Sequence, residues 1–433
     1  MTSSRPAPKL SGATRASWAG RSRLPIVALA PAAWDGPWGT WNQLLSRLAD
    51  RRWPTVYSNG PLSLWDRGKS DWKEARLRAG FSSLDGVLVD RPGRVCAGWP
   101  RSDMWMRLVN RCHARHLLGG AGVRRGGKGI TYVFHPAFAR YMDLLDLRHV
   151  VYLPYDLYSL TADWTPQIER AEAALVRRAD LVITLTNEVA QRLPGIGDKE
   201  ARVLPSAVDV ASYASGNDRP CPDDLAAVPR PRVSFVGRMT PKVDFDLVAD
   251  IASERPDWHW VMVGPVLLSG AVGPEAEARA RAGRKRCAAL PNVHFLGAKH
   301  HTELPAYMAH MDVNTMCYRS EGGWWVFGSP LKLYEYLAVG RPVVGTPLRA
   351  VRPFAHVVDL AETREEWLSA IDRALHQGGV GTPEQRHAVA LENSWDKRVD
   401  QLEAWLFEMI EKGENASKRD LASRFPPMAS TPP

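Results

Sequence analysis

Ser329-Pro-Leu-Lys332-Leu-Tyr-Glu335-Tyr-Leu-Ala-Val-Gly340-Arg-Pro-Val-Val344 is the stretch on which the reading of this chain turns. Leu331, Tyr334, Leu337 and Ala338 recur at helical spacing. Ser329 suits an N-cap, Pro330 the first helical position, and Gly340 the helix end, after which Pro-Val-Val enters a sheet. Lys332 and Glu335 are three residues apart, so the helix start gathers an ammonium, a carboxylate and free backbone N–H groups. Such an end can hold a diphosphate, with the carboxylate on sugar hydroxyls. Spacing alone fits an amphipathic helix with an i, i+3 salt bridge equally well.

The segment resembles the nucleotide-sugar signature of group 1 glycosyltransferases of the GT-B fold, and more narrowly that of bacterial enzymes building teichuronic acid and other exopolysaccharides. Further elements follow in that family's order: Ser234-Phe-Val-Gly237-Arg238, Val261-Met-Val-Gly264-Pro265, Pro291-Asn-Val-His-Phe-Leu-Gly297 and Leu304-Pro-Ala-Tyr307. The resemblance runs from about residue 25 to 410 and is densest between 230 and 350.

Bulk properties agree with a large globular enzyme. The 433 residues suffice for two domains, and no apolar run reaches the length of a membrane span. Leu24 to Ala33 reads as a first buried strand in preference to a secretory signal. Five scattered cysteines without a CxxC pair argue against a zinc site or disulfide framework and for reduced thiols in the cytoplasm. Residues 1–230 carry 32 Lys+Arg against 22 Asp+Glu, whereas the remainder is nearly balanced. That asymmetry suggests an anionic partner, with a membrane surface or lipid diphosphate favoured over nucleic acid, for which no motif is present.

Alternating strands and helices predict an α/β architecture, and the resemblance makes it GT-B: two Rossmann-like doubly wound domains facing a cleft, with a C-terminal helix crossing back. Expected strands include Leu24–Ala30, Val87–Val89, Ile130–Phe134, Val150–Leu153 and Leu181–Thr184, with a helix over Trp41–Arg51. The expected divisions are a disordered basic tail (1–23), an acceptor-side domain (24–214), a linker (215–230), a nucleotide-sugar domain (231–394), a crossover helix (395–412) and a disordered tail (413–433).

Three motifs are discounted, the first being Gly119-Gly-Ala-Gly, which follows a helix where a dinucleotide fingerprint needs a strand. Gly122-Val-Arg-Arg-Gly-Gly127-Lys128-Gly129 lacks the P-loop hydroxyl and follows a helix instead of a strand. Asp244-Phe-Asp246 resembles a metal clamp of another glycosyltransferase fold, but acids opening a helix serve as cap and dipole partners.

In the donor site, a Gly at position 237 lets a ligand approach the backbone at a strand's carboxyl end, where open α/β sheets bind ligands. By resemblance Arg238 contacts the leaving diphosphate, Lys332 joins it, Glu335 bonds the ribose, and Lys242 is a further cation one residue out of register with the family lysine. Gly264, Ser329 and Pro330 complete the expected donor-binding set. The family's second glutamate is replaced by Phe327, which puts contacts to the transferred sugar in question. The loop Ser320–Gly328 offers Trp324 or Trp325 for stacking instead, or for packing at the domain interface. On the acceptor side Asp35, His135 and Asp156 follow predicted strands and are expected to face the cleft as candidate bases.

The resemblance implies a retaining glycosyltransferase. It would use a nucleotide-diphosphate sugar without an obligatory metal or other cofactor, and act on a glycan or lipid-linked acceptor of the cell envelope, in the cytoplasm or peripherally at the inner membrane face. A nucleotide-sugar epimerase of the same fold, or a non-catalytic homologue serving as scaffold, would share these features. The motifs do not specify base, sugar, acceptor or oligomeric state.

Overall fold

The apolar run that opens the chain becomes β1 (Ile26–Leu29), each residue of it buried. A computed structural model describes residues 22–424 except Pro37, Asp163, Asp198, Gly270 and Ala271, with side chains to residue 415. The basic start therefore lies outside the described residues up to position 21, but Arg23 is fixed by Glu403 at 3.1 Å.

Around β1 lie β2 (Thr55–Ser58), β3 (Gly80–Leu84), β4 (Val87–Arg91), β5 (Ile130–Val133), β6 (His149–Tyr152), β7 (Leu181–Thr184) and β8 (Ala201–Val203). They form one sheet of order β3-β4-β2-β1-β5-β6-β7-β8. All its pairings are parallel except that of β3 with β4, which closes the edge antiparallel. The sequence did not announce β2, β3 or β8: β2 is only four residues long and directly follows Pro54, and β3 and β8 are half-exposed edge strands without a continuous apolar signal.

The second sheet uses β9 (Arg232–Val236), β10 (His259–Val263), β11 (Val293–Gly297), β12 (Val313–Met316), β13 (Val343–Gly345) and β14 (Asp359–Leu360), in the order β11-β10-β9-β12-β13-β14 and wholly parallel. In both sheets the strand order reverses beside the first strand, the point at which open α/β sheets leave a crevice. Helices cover both faces, and the second core packs Phe235, Trp260, Met316 and Tyr336 between them.

The last helix runs from Trp395 to Arg424, twelve residues beyond the expected end at 412. Glu, Ala, Lys and Arg make up half of its continuation, and proline returns only at position 426, so a helix runs through 424 where disorder was expected from 413, despite Gly413, Asn415, Ser417, Asp420 and Ser423. Val399, Leu402, Leu406 and Phe407 bury this helix against the first domain. Glu403 anchors it by accepting from Trp53 Nε1 at 2.9 Å while pairing with Arg23 and Arg51.

Candidate functional site

β9 and β10 both end in glycines whose φ angles, +136° at Gly237 and +135° at Gly264, disfavour any side chain. A Cβ on Gly264 would lie 2.2 Å from the Gly237 carbonyl oxygen, and one on Gly237 would lie 2.8 Å from Lys332 Nζ. The two strand ends can therefore stack and admit the lysine only without side chains.

The lysine arrives from the helix Leu331–Val339, which is buried on nearly all sides. Tyr336 pins this helix to the end of β9, its hydroxyl accepting the Val236 N–H at 2.9 Å. Arg386, 1% exposed, donates to the Gly340 carbonyl at the other end. The N-cap is Pro330, one residue later than Ser329, because Ser329 is engaged elsewhere: its hydroxyl accepts the Ser206 N–H at 3.2 Å and its carbonyl the Ser206 hydroxyl at 2.8 Å. These bonds tie the helix start to the end of the first domain.

Lys332 and Glu335 do not form the salt bridge that their spacing allows. Lys332 Nζ crosses the Phe235 ring at 3.4 Å and stops below Gly237 with no hydrogen-bond partner. Burial drives its pKa well below the ordinary lysine value, and the Lys242 charge adds to this. A lone buried ammonium is costly, so its presence against a cavity marks a place for an anion. Glu335 turns the other way and accepts the Tyr213 hydroxyl at 2.8 Å; burial raises its pKa.

These groups line a cavity of about 740 Å³ between the two sheets, to which both domains contribute. Lys242 enters it over the rings of Tyr318 and Trp324, at 5.2 and 5.4 Å, and burial lowers its pKa to about 8, aided by Arg238. Arg238 projects openly from the loop after β9 and meets Tyr155 of the first domain. Asp156, next to that tyrosine and at the end of β6, has a pKa raised to about 7 by burial, against the pull of Lys242 and Arg238. Three cations thus converge on one wall, with the Asp156 carboxyl facing Lys242 and Arg238 and that of Glu335 beside Lys332. That arrangement can neutralise a diphosphate and leave an acid–base group opposite it.

Gly237, Arg238, Lys242, Gly264, Ser329, Pro330, Lys332, Glu335, Asp156 and Asp35 all line the cavity. Asp35 sits at its rim, paired with the surface residue Arg91 at 2.8 Å. His135 does not reach the cavity lining. Its Nδ1 accepts the Ala137 N–H at 3.1 Å, because the Pro136–Phe138 turn takes the ring as its cap. Asp244 caps the helix Phe245–Glu254, and Asp246 pairs with Arg279, Arg286 and Arg319, which leaves both as structural acids. Phe327 faces away from the cavity: its ring lies between Arg192 and Arg349, and its carbonyl accepts the Thr186 hydroxyl at 2.8 Å. It joins the domains. Trp325 is buried, with its N–H on the Arg319 carbonyl, while Trp324 borders Lys242.

Sequence reasoning missed Tyr155, Tyr213 and the stack of Trp38 on His301, whose rings lie 4.9 Å apart across the cleft mouth. The signal available was position. Tyr155 precedes Asp156 after a strand, and His300-His301 follows the glycine that ends β11.

Comparison with known proteins agrees with this geometry. Residues 230–377 match the family described as glycosyl transferases group 1. TuaH of Bacillus subtilis (strain 168), provisionally named a teichuronic acid biosynthesis glycosyltransferase, is 29% identical over 239 residues. That match spans 53% of this chain and 57% of TuaH, so the chain covers little more than half of that relative. Anabaena Alr3699/HepE, solved with UDP-glucose, superposes with a TM-score of 0.63 at 14% identity over 89% of this chain and 100% of that one. Sucrose-phosphate synthase of Thermosynechococcus elongatus gives 0.66 at 14% identity over 90% and 100%. At such identities the likeness establishes the fold. Residues 230–377 thus match the group 1 glycosyltransferase family, within a chain whose fold is that of GT-B glycosyltransferases.

Proposed function

We propose that this protein transfers a sugar from a nucleotide-diphosphate sugar to a glycan or lipid-linked acceptor in cell-envelope polysaccharide biosynthesis. The observation that carries the reading is the unpartnered Lys332 ammonium below Gly237, joined by Lys242 and Arg238 on one cavity wall. A diphosphate leaving group develops negative charge as the glycosidic bond breaks, and preorganised cations lower that barrier without a resident metal. Glu335 takes the ribose, and Gly237 and Gly264 leave room for Lys332 to reach the strand ends where the phosphates would lie. UDP-sugars are the first donors to test, since the HepE relative was solved with one.

The first domain receives the acceptor. Asp156, with its pKa raised to about 7, is the group placed to exchange a proton with an acceptor hydroxyl. The match to group 1 glycosyltransferases is what supports retention of configuration. The basic first half supports work at the inner face of the membrane, where lipid-linked acceptors reside.

Release of nucleoside diphosphate from a panel of nucleotide sugars, with and without a lipid-linked glycan, tests the reading. Release that depends on acceptor is expected. Interconversion of the sugar without acceptor would make the protein an epimerase, and donor binding without turnover a scaffold.

A further inference from the structure

Among the described residues, ten large apolar side chains are exposed, and seven of them fall between positions 65 and 108. The backbone shows that they form one surface. Leu64 N–H donates to the Gly98 carbonyl, and Gly98 N–H to that of Leu62. Val95 N–H donates to the Leu77 carbonyl, and Ser102 N–H to that of Trp99. Trp105 Nε1 donates to the Ala97 carbonyl, and Arg101 lies over the Trp65 ring. Three loops and the first turns of the helix Asp103–Gly120 are thereby laced together, presenting Trp65, Leu77, Val95, Trp99, Met104 and Leu108 to solvent. Exposure reaches 81% at Met104 and 68% at Leu77. Soluble surfaces do not normally concentrate so much apolar area in one place.

The rim of this surface is basic. Residues 62–115 hold 11 Lys+Arg and 6 Asp+Glu, and Arg67, Arg76, Arg78, Arg101, Arg107 and Arg111 are exposed. Apolar and aromatic tips surrounded by arginines match the interfacial layer of an anionic bilayer, with rings at headgroup depth and guanidinium groups on phosphates. No helix among the described residues is long and apolar enough to cross a membrane, so attachment through this patch would be at the surface.

Its place in the fold gives the patch a use. β2 and β4 run parallel to β1, so the loops after them leave the sheet on the same edge as the Pro31–Trp38 loop that lines the cavity. Arg91, at the end of β4, pairs with Asp35 at the cavity rim. We infer that the surface built from residues 62–108 is a docking site for an anionic lipid bilayer, which sets the acceptor side of the cleft beside the headgroups. The inference rests on the peripheral-membrane part of the proposed function and names the surface that performs it.

The test is sedimentation of the full chain with phosphatidylcholine vesicles and with vesicles that also contain phosphatidylglycerol. Two variants are compared with wild type: Trp65→Ser with Met104→Ser and Leu108→Ser, and Arg101→Gln with Arg107→Gln and Arg111→Gln. Each arginine near such a surface strengthens partitioning about fivefold, so the charge variant should bind anionic vesicles on the order of a hundredfold more weakly. The apolar variant should lose about tenfold or more, and added salt should weaken wild-type binding. Nucleotide binding, measured on the same samples, should be unchanged in both variants. Wild-type binding that both variants retain would overturn this surface while leaving the membrane reading intact. No wild-type binding to any vesicle would overturn both. A concentration-dependent dimer abolished by the apolar variant would assign the surface to a second copy of the chain instead.

Discussion

Lys332→Met separates function from stability in opposite directions. Lys332 is 93% buried, its Nζ has no hydrogen-bond partner and lies against the Phe235 and Tyr318 rings, and the charges of Lys242, Glu335 and Arg238 also act on it. Leaving a polar group unsatisfied in the interior costs about 1–3 kcal/mol, and a desolvated cation–π contact returns about 2 kcal/mol. Methionine has a similar length, no charge and favourable contacts with rings. The ligand-free variant should therefore be as stable as wild type or more stable by about 1–2 kcal/mol, a gain of a few degrees in melting temperature. A charge-assisted bond to phosphate is worth about 1.5–3 kcal/mol, so affinity for a nucleoside diphosphate should fall roughly ten- to a hundredfold. Calorimetric titration with UDP and thermal melts with and without it read both quantities. Unchanged affinity, or a ligand-free protein destabilised by several kcal/mol, would refute the argument that this lysine is held in reserve for an anion.

Three further outcomes are expected. Glu335→Ala should weaken donor binding about ten- to a hundredfold, and wild type should lose a similar factor for a nucleotide lacking its ribose hydroxyls; equal binding of that analogue would remove Glu335 from the ribose. Arg238→Ala should lower turnover by about 10²–10³-fold with a smaller effect on donor affinity, as steady-state kinetics would show; a near wild-type rate would place the leaving group elsewhere. Lys242, with its pKa lowered to about 8, loses its proton as pH rises through that value, so diphosphate affinity should decline above pH 8 and binding there should take up a proton, measurable as a buffer-dependent heat; Asp156, at about 7, should add a rise in kcat as pH increases through neutrality, absent in Asp156→Asn.

Much of the second domain was legible because its chemistry is local. Gly340 ends the helix Leu331–Val339 in the left-handed conformation, Asp244 caps the helix Phe245–Glu254, and Gly237 follows its strand at positive φ, each a local backbone requirement that few residue types meet. The direction of Lys332 was not legible. Spacing puts Lys332 and Glu335 close enough to pair, yet the lysine is drawn to the Phe235 ring and the glutamate to Tyr213, partners distant in sequence. His135 failed as a cleft residue for the opposite reason: a proline directly after it created a local turn that claimed the ring. Phe327, an anomaly against the family pattern, becomes intelligible only when Arg192 of the other domain is seen packed on it. The edge strands β3 and β8 are set by pairing with neighbours, which no periodicity within three to five residues can report.

The most direct test of the central claim is a crystal structure with UDP bound. The account predicts a β-phosphate oxygen about 2.7–2.9 Å from Lys332 Nζ, with Arg238 on the same phosphate, Glu335 on the ribose and no displacement of Phe327. Phosphates lying away from the Gly237 backbone, with Lys332 still unpartnered on the Phe235 ring, would contradict it.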